Sequence, residues 1–227
     1  MMQIYEDLWV STPEVLTENT AIPPQVMHGF LLKHLRGNIL ISRMENPLDH
    51  QAIDEAGGIF RHYLTHWHEA GPALPLLQQR FNAALYCHNK ALGAVTRVAE
   101  PDDTFSEAEV HCGSFHVVPT PGHTPGSTSY LYASPGGITY LFVGDTLTLY
   151  NGQWVTMLTD DSNTASLQQS LDFYRALRPN VLLLTTTSGE QAWQEVDLPR
   201  WLAIIDEAEN TPLDLRSGDI NCCRTTG

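Results

Sequence analysis

The chain has few positive charges and no long apolar run. Its 227 residues include 12 Lys and Arg against 26 Asp and Glu, which gives a net charge of −14. Such a charge repels phosphate backbones, so we expect no nucleic-acid partner. No apolar run approaches the roughly 20 residues that a bilayer-spanning helix needs, so we expect no membrane partner either.

We also expect no secretory leader and no paired cysteines. The first residues, MMQIYED, are acidic and mixed, and they lack the basic start and apolar middle of a leader, which favours a cytoplasmic location. Cys87 and Cys112 are isolated, while Cys222 and Cys223 are adjacent, so no C-x-x-C pair occurs. We therefore expect neither a zinc knuckle nor a redox pair, and we predict buried free thiols at positions 87 and 112.

Length and composition favour a single domain over residues 1–227. The hydrophobic content of 42% is typical of a folded protein, and no repeat or low-complexity linker divides the chain. Residue patterns predict extended segments at 26–35, 38–41, 59–64, 83–86, 115–118, 128–132, 138–143 and 181–184. They predict helices at 48–56, 73–81, from a cap at Ser162 or Asn163 to before Pro179, and at 193–208. This alternation favours a layered α/β domain.

Three short stretches supply the chemistry of this chain. They are THWHEAG at 65–71, PTPGHTPGS at 119–127 and LFVGDT at 141–146. Each lies where a predicted strand ends or a Gly/Pro-rich turn begins, and together they offer three imidazoles and one carboxylate. This is a ligand set for one transition metal ion, formed by His66, His68, His123 and Asp145.

The spacing explains how these groups can converge. Residues two apart in an extended segment point the same way, so His66 and His68 can present both rings to one point. Proline and glycine on both sides of His123 hold that residue in a rigid turn. Alone, a His-x-His pair or a Gly-Asp turn is usually structural, and only their joint occurrence predicts a metal site. The remaining histidines are expected to be solvated or packed, with His62 as a candidate partner behind a ligand.

On these stretches the chain resembles the metallo-β-lactamase superfamily, most closely its small glyoxalase-II-like hydrolases, over about residues 30–204. The resemblance implies a four-layer αββα sandwich, with two packed mixed β-sheets flanked by helices and the metal site at their edge. His66, His68 and His123 match the family's first-ion ligands, and Asp145 matches the carboxylate that bridges two ions.

The second-ion ligands of the family are missing. The family pattern HxHxDH continues with Asp and His where this chain has Ala70 and Gly71. The last family histidine falls near Ser188, and an early family Asp corresponds to Ser42 or its neighbours. We therefore expect one ion, zinc first, with iron or manganese as alternatives.

The predicted function is hydrolysis of a small-molecule substrate. Metal-bound hydroxide would attack an ester, thioester, lactone or amide carbonyl. Because the family Asp that manages protons is missing, Asp145 and Glu69 are the predicted catalytic groups, with Glu190 as a further candidate. Losing a general base typically costs about 10²–10⁴ in rate, so a slow or specialised hydrolase is expected.

Two other functions stay open at the level of the sequence. His66, His123 and Asp145 alone form the two-histidine, one-carboxylate set of mononuclear non-haem iron, as in proteins resembling persulfide dioxygenases. Alternatively, catalysis has decayed and a binding or scaffold protein remains on the same fold. Oligomeric state has no sequence marker here, and a homodimer is the default expectation.

Overall fold

A computed structural model describes residues 1–16 and 25–216. Cys222 and Cys223, for which the sequence offered no function, lie outside the described residues. The helices are α1 (Pro47–Glu55), α2 (Ala73–Phe81), α3 (Leu92–Val95), α4 (Thr164–Ala176) and α5 (Leu198–Asn210). The strands are β1 (Met2–Tyr5), β2 (Leu8–Val10), β3 (Glu14–Leu16), β4 (Gln25–Met27), β5 (Phe30–Leu32), β6 (Ile39–Ile41), β7 (Arg61–Tyr63), β8 (Ala84–His88), β9 (Asp103–Phe105), β10 (Glu109–His111), β11 (Phe115–Pro119), β12 (Thr128–Ala133), β13 (Thr139–Phe142), β14 (Thr148–Tyr150), β15 (Gln153–Leu158), β16 (Val181–Leu183), β17 (Thr186–Thr187), β18 (Trp193–Glu195) and β19 (Pro212–Asp214).

The strands form mixed sheets. One has the order β1-β2-β5-β6-β7-β8-β9, a second has β10-β11-β12-β13-β16-β18, and a third has β19-β15-β14-β17-β4-β3. In the first sheet β6, β7 and β8 pair in parallel, whereas β1, β2 and β5 pair antiparallel. In the second, β13 and β16 are parallel and the remaining neighbours are antiparallel.

Apolar side chains are buried between the two sheets and between each sheet and its helices. The burial on both faces of each sheet produces a layered structure. The first two sheets pack face to face around an aromatic core that includes Phe30, Tyr63, Phe115 and Phe142. The outer face of the second sheet is covered by α4 and α5, and the outer face of the first by α1, α2 and α3. The predicted αββα sandwich is confirmed.

Helix boundaries follow local sequence rules. Asn46 and Asn163 cap α1 and α4 by accepting hydrogen bonds from the backbone at Leu48 and Ser166, so the first-turn donors are satisfied. The predictions at 48–56 and 73–81 are confirmed to within one residue. Among the described residues, no helix has the length and hydropathy needed to cross a bilayer.

The predicted final helix begins too early. Residues 193–195 form β18, an antiparallel edge strand beside β16, and α5 starts only at Leu198. The physical reason is Pro199, which is tolerated in the first helical turn but breaks a helix in its interior. Asp197 caps this start by accepting from the Arg200 backbone.

The cysteine prediction holds for one thiol of the two. Cys87 is fully buried in β8. Cys112 is only half-buried, because it occupies a left-handed turn position, with φ of 54°, between β10 and β11. Both are free thiols.

Strand direction places the candidate ligands. Because β11 and β13 both run antiparallel to β12, and β16 runs parallel to β13, these three strands end at the same edge of their sheet. His123 follows β11, and Asp145 follows β13. The chain after β7, which carries His66, reaches this edge from the first sheet, where the Thr128 backbone donates to the Thr65 carbonyl at 2.8 Å.

Candidate metal centre

The three predicted histidines converge on one point. One ring nitrogen from each of His66, His68 and His123 lies within 4.8 Å of the others. Within this group, His68 Nδ1 and His123 Nε2 are 3.1 Å apart. A tetrahedral zinc ion with Zn–N bonds of about 2.0–2.1 Å holds its nitrogen ligands about 3.3 Å apart, so this pair already has the spacing of two zinc ligands.

His66 is held by a hydrogen-bonded chain behind its ring. The Thr65 hydroxyl donates to Glu69 Oε1 at 2.6 Å, which leaves its oxygen to accept from His66 Nδ1 at 2.9 Å. The Thr65 backbone also donates to Glu69 Oε2 at 2.7 Å. A hydrogen on Nδ1 leaves the lone pair of Nε2 directed at the cluster, as a metal-ligating histidine requires.

His123 is oriented by its turn. Its Nδ1 donates to the Met157 carbonyl at 3.0 Å, which leaves Nε2 free to face the cluster. The Ser162 hydroxyl donates to the His123 carbonyl at 2.7 Å. The preceding Gly122 has a φ of 152°, and the Asn163 backbone donates to its carbonyl at 2.8 Å. The histidine is thus tied to β15 and to the start of α4.

Asp145 completes the cluster from the second sheet. Its Oδ2 lies 3.3 Å from His66 Nε2 and 3.6 Å from His123 Nε2, and its Oδ1 accepts from the Thr185 hydroxyl at 3.3 Å. The preceding Gly144 has a φ of 57°, and a Cβ there would lie 2.9 Å from the Thr65 side chain. Glycine at this position therefore permits the close approach of the two segments that carry His66 and Asp145.

The electrostatics of the cluster favour a cation. Burial alone would raise the pKa of Asp145, but the rings of His66 and His123 outweigh it and hold that pKa well below its ordinary value. Burial alone would lower the pKa of His66, but Asp145 raises it above the ordinary value. Burial, with two neighbouring rings, lowers the pKa of His68 to about 3, so this ring is neutral and able to bind metal.

The donor set fits one metal ion. The His66 side chain is 1% exposed, and its Nε2 lies 3.3 Å from Asp145 Oδ2 without forming a well-aligned hydrogen bond. A buried polar atom that is incompletely satisfied is costly, and an ion between the three rings would satisfy it. Three imidazole nitrogens and one carboxylate oxygen are a donor set that suits zinc.

Glu69, a predicted catalytic group, lies behind His66 and away from the point where the rings meet. It is fully buried, and both of its oxygens accept hydrogen bonds from Thr65. Its Oε1 is 3.8 Å from His66 Nδ1, the ring nitrogen remote from the cluster. This placement suits a residue that positions a ligand. Glu190, the further candidate base, is exposed.

We expect Glu69→Gln to retain one equivalent of metal, because the amide oxygen of Gln can still accept a hydrogen bond from Thr65, which fixes His66. Changes to such outer partners typically weaken metal affinity by about 10–100-fold without abolishing binding. Competition titration against a zinc chelator measures this affinity. Complete loss of metal would show that Glu69 is itself a ligand. Exposed Glu109→Gln is the control, and its affinity should match the wild type.

The second-ion ligands are absent from this edge. Ala70 and Gly71 follow the short turn Trp67–Glu69. Ser188 instead accepts a hydrogen bond from the Asn151 backbone at 2.7 Å. Ser42 is fully buried with φ of 68°. A second ion of the kind the family pattern implies therefore does not fit the residues present.

His62 is not the partner behind a ligand that the sequence suggested, because its ring contacts the loop that follows β6. It is fully buried, and its Nε2 donates to the Ser42 carbonyl at 2.6 Å, so it is a structural partner of the loop after β6. Burial lowers the pKa of His62 to about 4. Because the unfolded pKa is about 6.5, protons bind the unfolded state preferentially between pH 6.5 and 4, and the free energy of unfolding falls as pH falls through that window.

In the wild type, the free energy of unfolding should fall between pH 7 and pH 4. We expect His62→Gln to reduce that fall by up to about 3 kcal/mol. Urea denaturation at both pH values, in the presence of a chelator, measures it. His116→Gln on the exposed face of β11 is the matched control and should retain the wild-type difference. An unchanged pH difference in His62→Gln would contradict the assignment.

Several groups that hold the ligands have no distinctive sequence pattern. Thr65 lies beside His66 in the sequence, but its link to Glu69 depends on the turn between them. Met157 and Thr185 reach the site only through the fold, since their strands are far from the histidines along the chain. No spacing rule would have selected them.

Comparisons with known proteins agree with the geometry. The family model described as the metallo-beta-lactamase superfamily matches residues 59–186, which is 128 of the 227 residues and includes all four candidate ligands. No curated protein matches significantly.

Solved structures share the fold at low identity. A metallo-beta-lactamase from Erythrobacter litoralis with beta-mercaptoethanol in its active site has a TM-score of 0.68 at 15% identity, covering 90% of this chain and 95% of its own. A Cronobacter sakazakii metallo-beta-lactamase mutant in its HARLDQ motif has a TM-score of 0.63 at 15% identity, covering 82% and 79%. MIM-1 from Novosphingobium pentaromativorans has 0.62 at 15%, covering 81% of each chain.

Proposed function

This chain belongs to the metallo-β-lactamase superfamily, and we propose that it is a metal-dependent hydrolase with a single ion held by His66, His68 and His123, beside Asp145. The observation that supports this most strongly is the convergence of three buried ring nitrogens within 4.8 Å, beside a carboxylate. Without a cation, these groups bring buried rings together around a His66 nitrogen that lacks a well-aligned hydrogen bond, which costs free energy.

The chemistry proposed is attack on the carbonyl of a small ester, thioester, lactone or amide. Held by the three imidazoles with one position open, a zinc ion would polarise a carbonyl oxygen and would lower the pKa of a bound water to about 7. We assign Asp145 to binding and orienting groups at the ion and not to proton transfer. A carboxylate whose pKa is depressed is a weak proton acceptor. Glu69 and Thr65 fix the tautomer of His66. Without a dedicated general base, turnover is expected to be about 10²–10⁴-fold below that of an enzyme that has one.

Turnover by zinc-loaded protein on a panel of a phenyl ester, a thioester, a lactone and a β-lactam tests this function. We expect one class to be hydrolysed, with activity removed by a chelator and restored by added zinc. His68→Ala should lack the activity, and exposed His116→Ala should keep it. Iron retained after anaerobic purification, with oxygen uptake on a persulfide, would instead indicate an oxygenase. Bound metal without turnover on any substrate would indicate a binding protein.

A further inference from the structure

His68 differs from the other two histidines of the cluster in what holds its ring. His66 Nδ1 donates to the Thr65 hydroxyl at 2.9 Å. His123 Nδ1 donates to the Met157 carbonyl at 3.0 Å. His68 instead presents its Nδ1 to the cluster, 3.1 Å from His123 Nε2. Among the residues that the structure describes, none forms with His68 Nε2 the hydrogen bond that usually fixes a metal-binding histidine.

The indole of Trp67 packs against this ring. The centroids of the Trp67 and His68 rings are 4.0 Å apart, and the ring planes are tilted by 57°. The rings of the other two histidines lie farther away, with centroids 5.0 Å from His68 for His66 and 5.1 Å for His123. The indole is thus the closest of these rings, and its contact limits the rotation of the imidazole.

Trp67 is itself fixed by packing and by its backbone. Its half-buried side chain packs against an apolar cluster that includes Leu64 and Val95, between the first sheet and its helices. Its carbonyl accepts from the Ala70 backbone at 3.0 Å, which closes a short turn. Side chains in a close-packed cluster have few alternative positions. The indole is therefore a rigid surface against which the His68 ring lies.

We infer that Trp67 is a positioning residue, whose indole holds the His68 imidazole with Nδ1 directed at the metal position before an ion binds. This ring contact takes the place of the hydrogen bonds that hold His66 and His123. The inference rests on the proposed single-ion site and gives a role there to a residue that is not a ligand. A ring that is already oriented loses less freedom when the ion binds, so the indole strengthens metal affinity.

Zinc affinity, measured by competition against a chelator, tests this role. Trp67→Leu keeps an apolar side chain in the cluster but removes the flat ring, and we expect affinity to fall about tenfold or more. Trp67→Phe keeps an aromatic ring and should bind zinc within about threefold of the wild type. Trp193→Leu, which removes a half-buried indole from β18, is the matched control and should bind as the wild type does. Wild-type affinity in Trp67→Leu, or an equal loss in Trp67→Phe, would overturn the inference.

Proton NMR of the zinc-free wild type tests the same inference without a substitution. Because the two ring centroids are 4.0 Å apart, a nuclear Overhauser effect should connect ring protons of Trp67 and His68 before zinc is added. The effect should persist after one equivalent of zinc. An effect that appears only with zinc would overturn the inference, since the ion and not the indole would then orient the ring.

The outcomes separate the role of Trp67 from the proposed function. A wild-type chain that binds no zinc overturns both the single-metal hydrolase and the role of Trp67. Zinc bound by the wild type, and with equal affinity by Trp67→Leu, overturns only the role of Trp67.

Discussion

Replacing His123 with alanine should remove most of the bound metal. The ring is 1% exposed, and its Nε2 lies 3.1 Å from His68 Nδ1 and 3.6 Å from Asp145 Oδ2, so it contacts the other donors directly. Its Nδ1 is fixed by the Met157 carbonyl, and no other described histidine joins the cluster. With one imidazole gone, the remaining donors no longer surround an ion. We expect elemental analysis to fall from about one equivalent to near zero after dialysis.

His116→Ala controls for general effects of losing a histidine. His116 lies on β11, the strand that leads into the His123 turn, but its side chain is exposed. This variant should keep its metal. If His123→Ala retains wild-type metal content, the ligand assignment is wrong.

Replacing Gly122 with alanine should destabilise the protein and disturb the metal centre together. Its φ of 152° is a conformation that L-residues rarely adopt, and a Cβ there would lie 2.4 Å from the Leu167 Cα and 2.6 Å from its Cβ. The clash is with a helix backbone, which cannot move without displacing α4. We expect a loss of about 3 kcal/mol in the free energy of unfolding, with weaker metal binding because His123 shifts.

Gly113→Ala is the control that measures the cost of placing alanine at a positive φ without a steric clash. Gly113 has a φ of 88°, but beyond its chain neighbours no described atom lies within 4 Å of a Cβ built there. Its substitution should cost only about 1 kcal/mol and spare the metal. Urea denaturation of both variants gives the comparison. If Gly122→Ala costs no more than Gly113→Ala, the tight packing of this turn against α4 is not what positions His123.

The candidate ligands could be selected from the sequence because their chemistry is local. His66 and His68 alternate beyond a strand, and the glycines and prolines around His123 mark a rigid turn that few structural roles require. The supporting contacts could not be found this way. The path from Glu69 through Thr65 to His66 depends on a turn, and the Met157 carbonyl comes from a hairpin, β14–β15, for which the residue patterns predict no strands.

Errors in the predicted elements have the same origin. Residues 193–208 carry an apolar pattern that suits a helix, but Pro199 forces the helix to begin at Leu198, and pairing with β16 draws Trp193–Glu195 into a strand. Tertiary pairing overrides local preference here.

The metal-to-protein ratio of freshly purified wild-type chain, dialysed after incubation with excess zinc, tests the central claim most directly. One ion per chain is the result that the convergence of His66, His68, His123 and Asp145 predicts. A ratio near zero would contradict the metal centre, and a ratio near two would contradict its single-ion form.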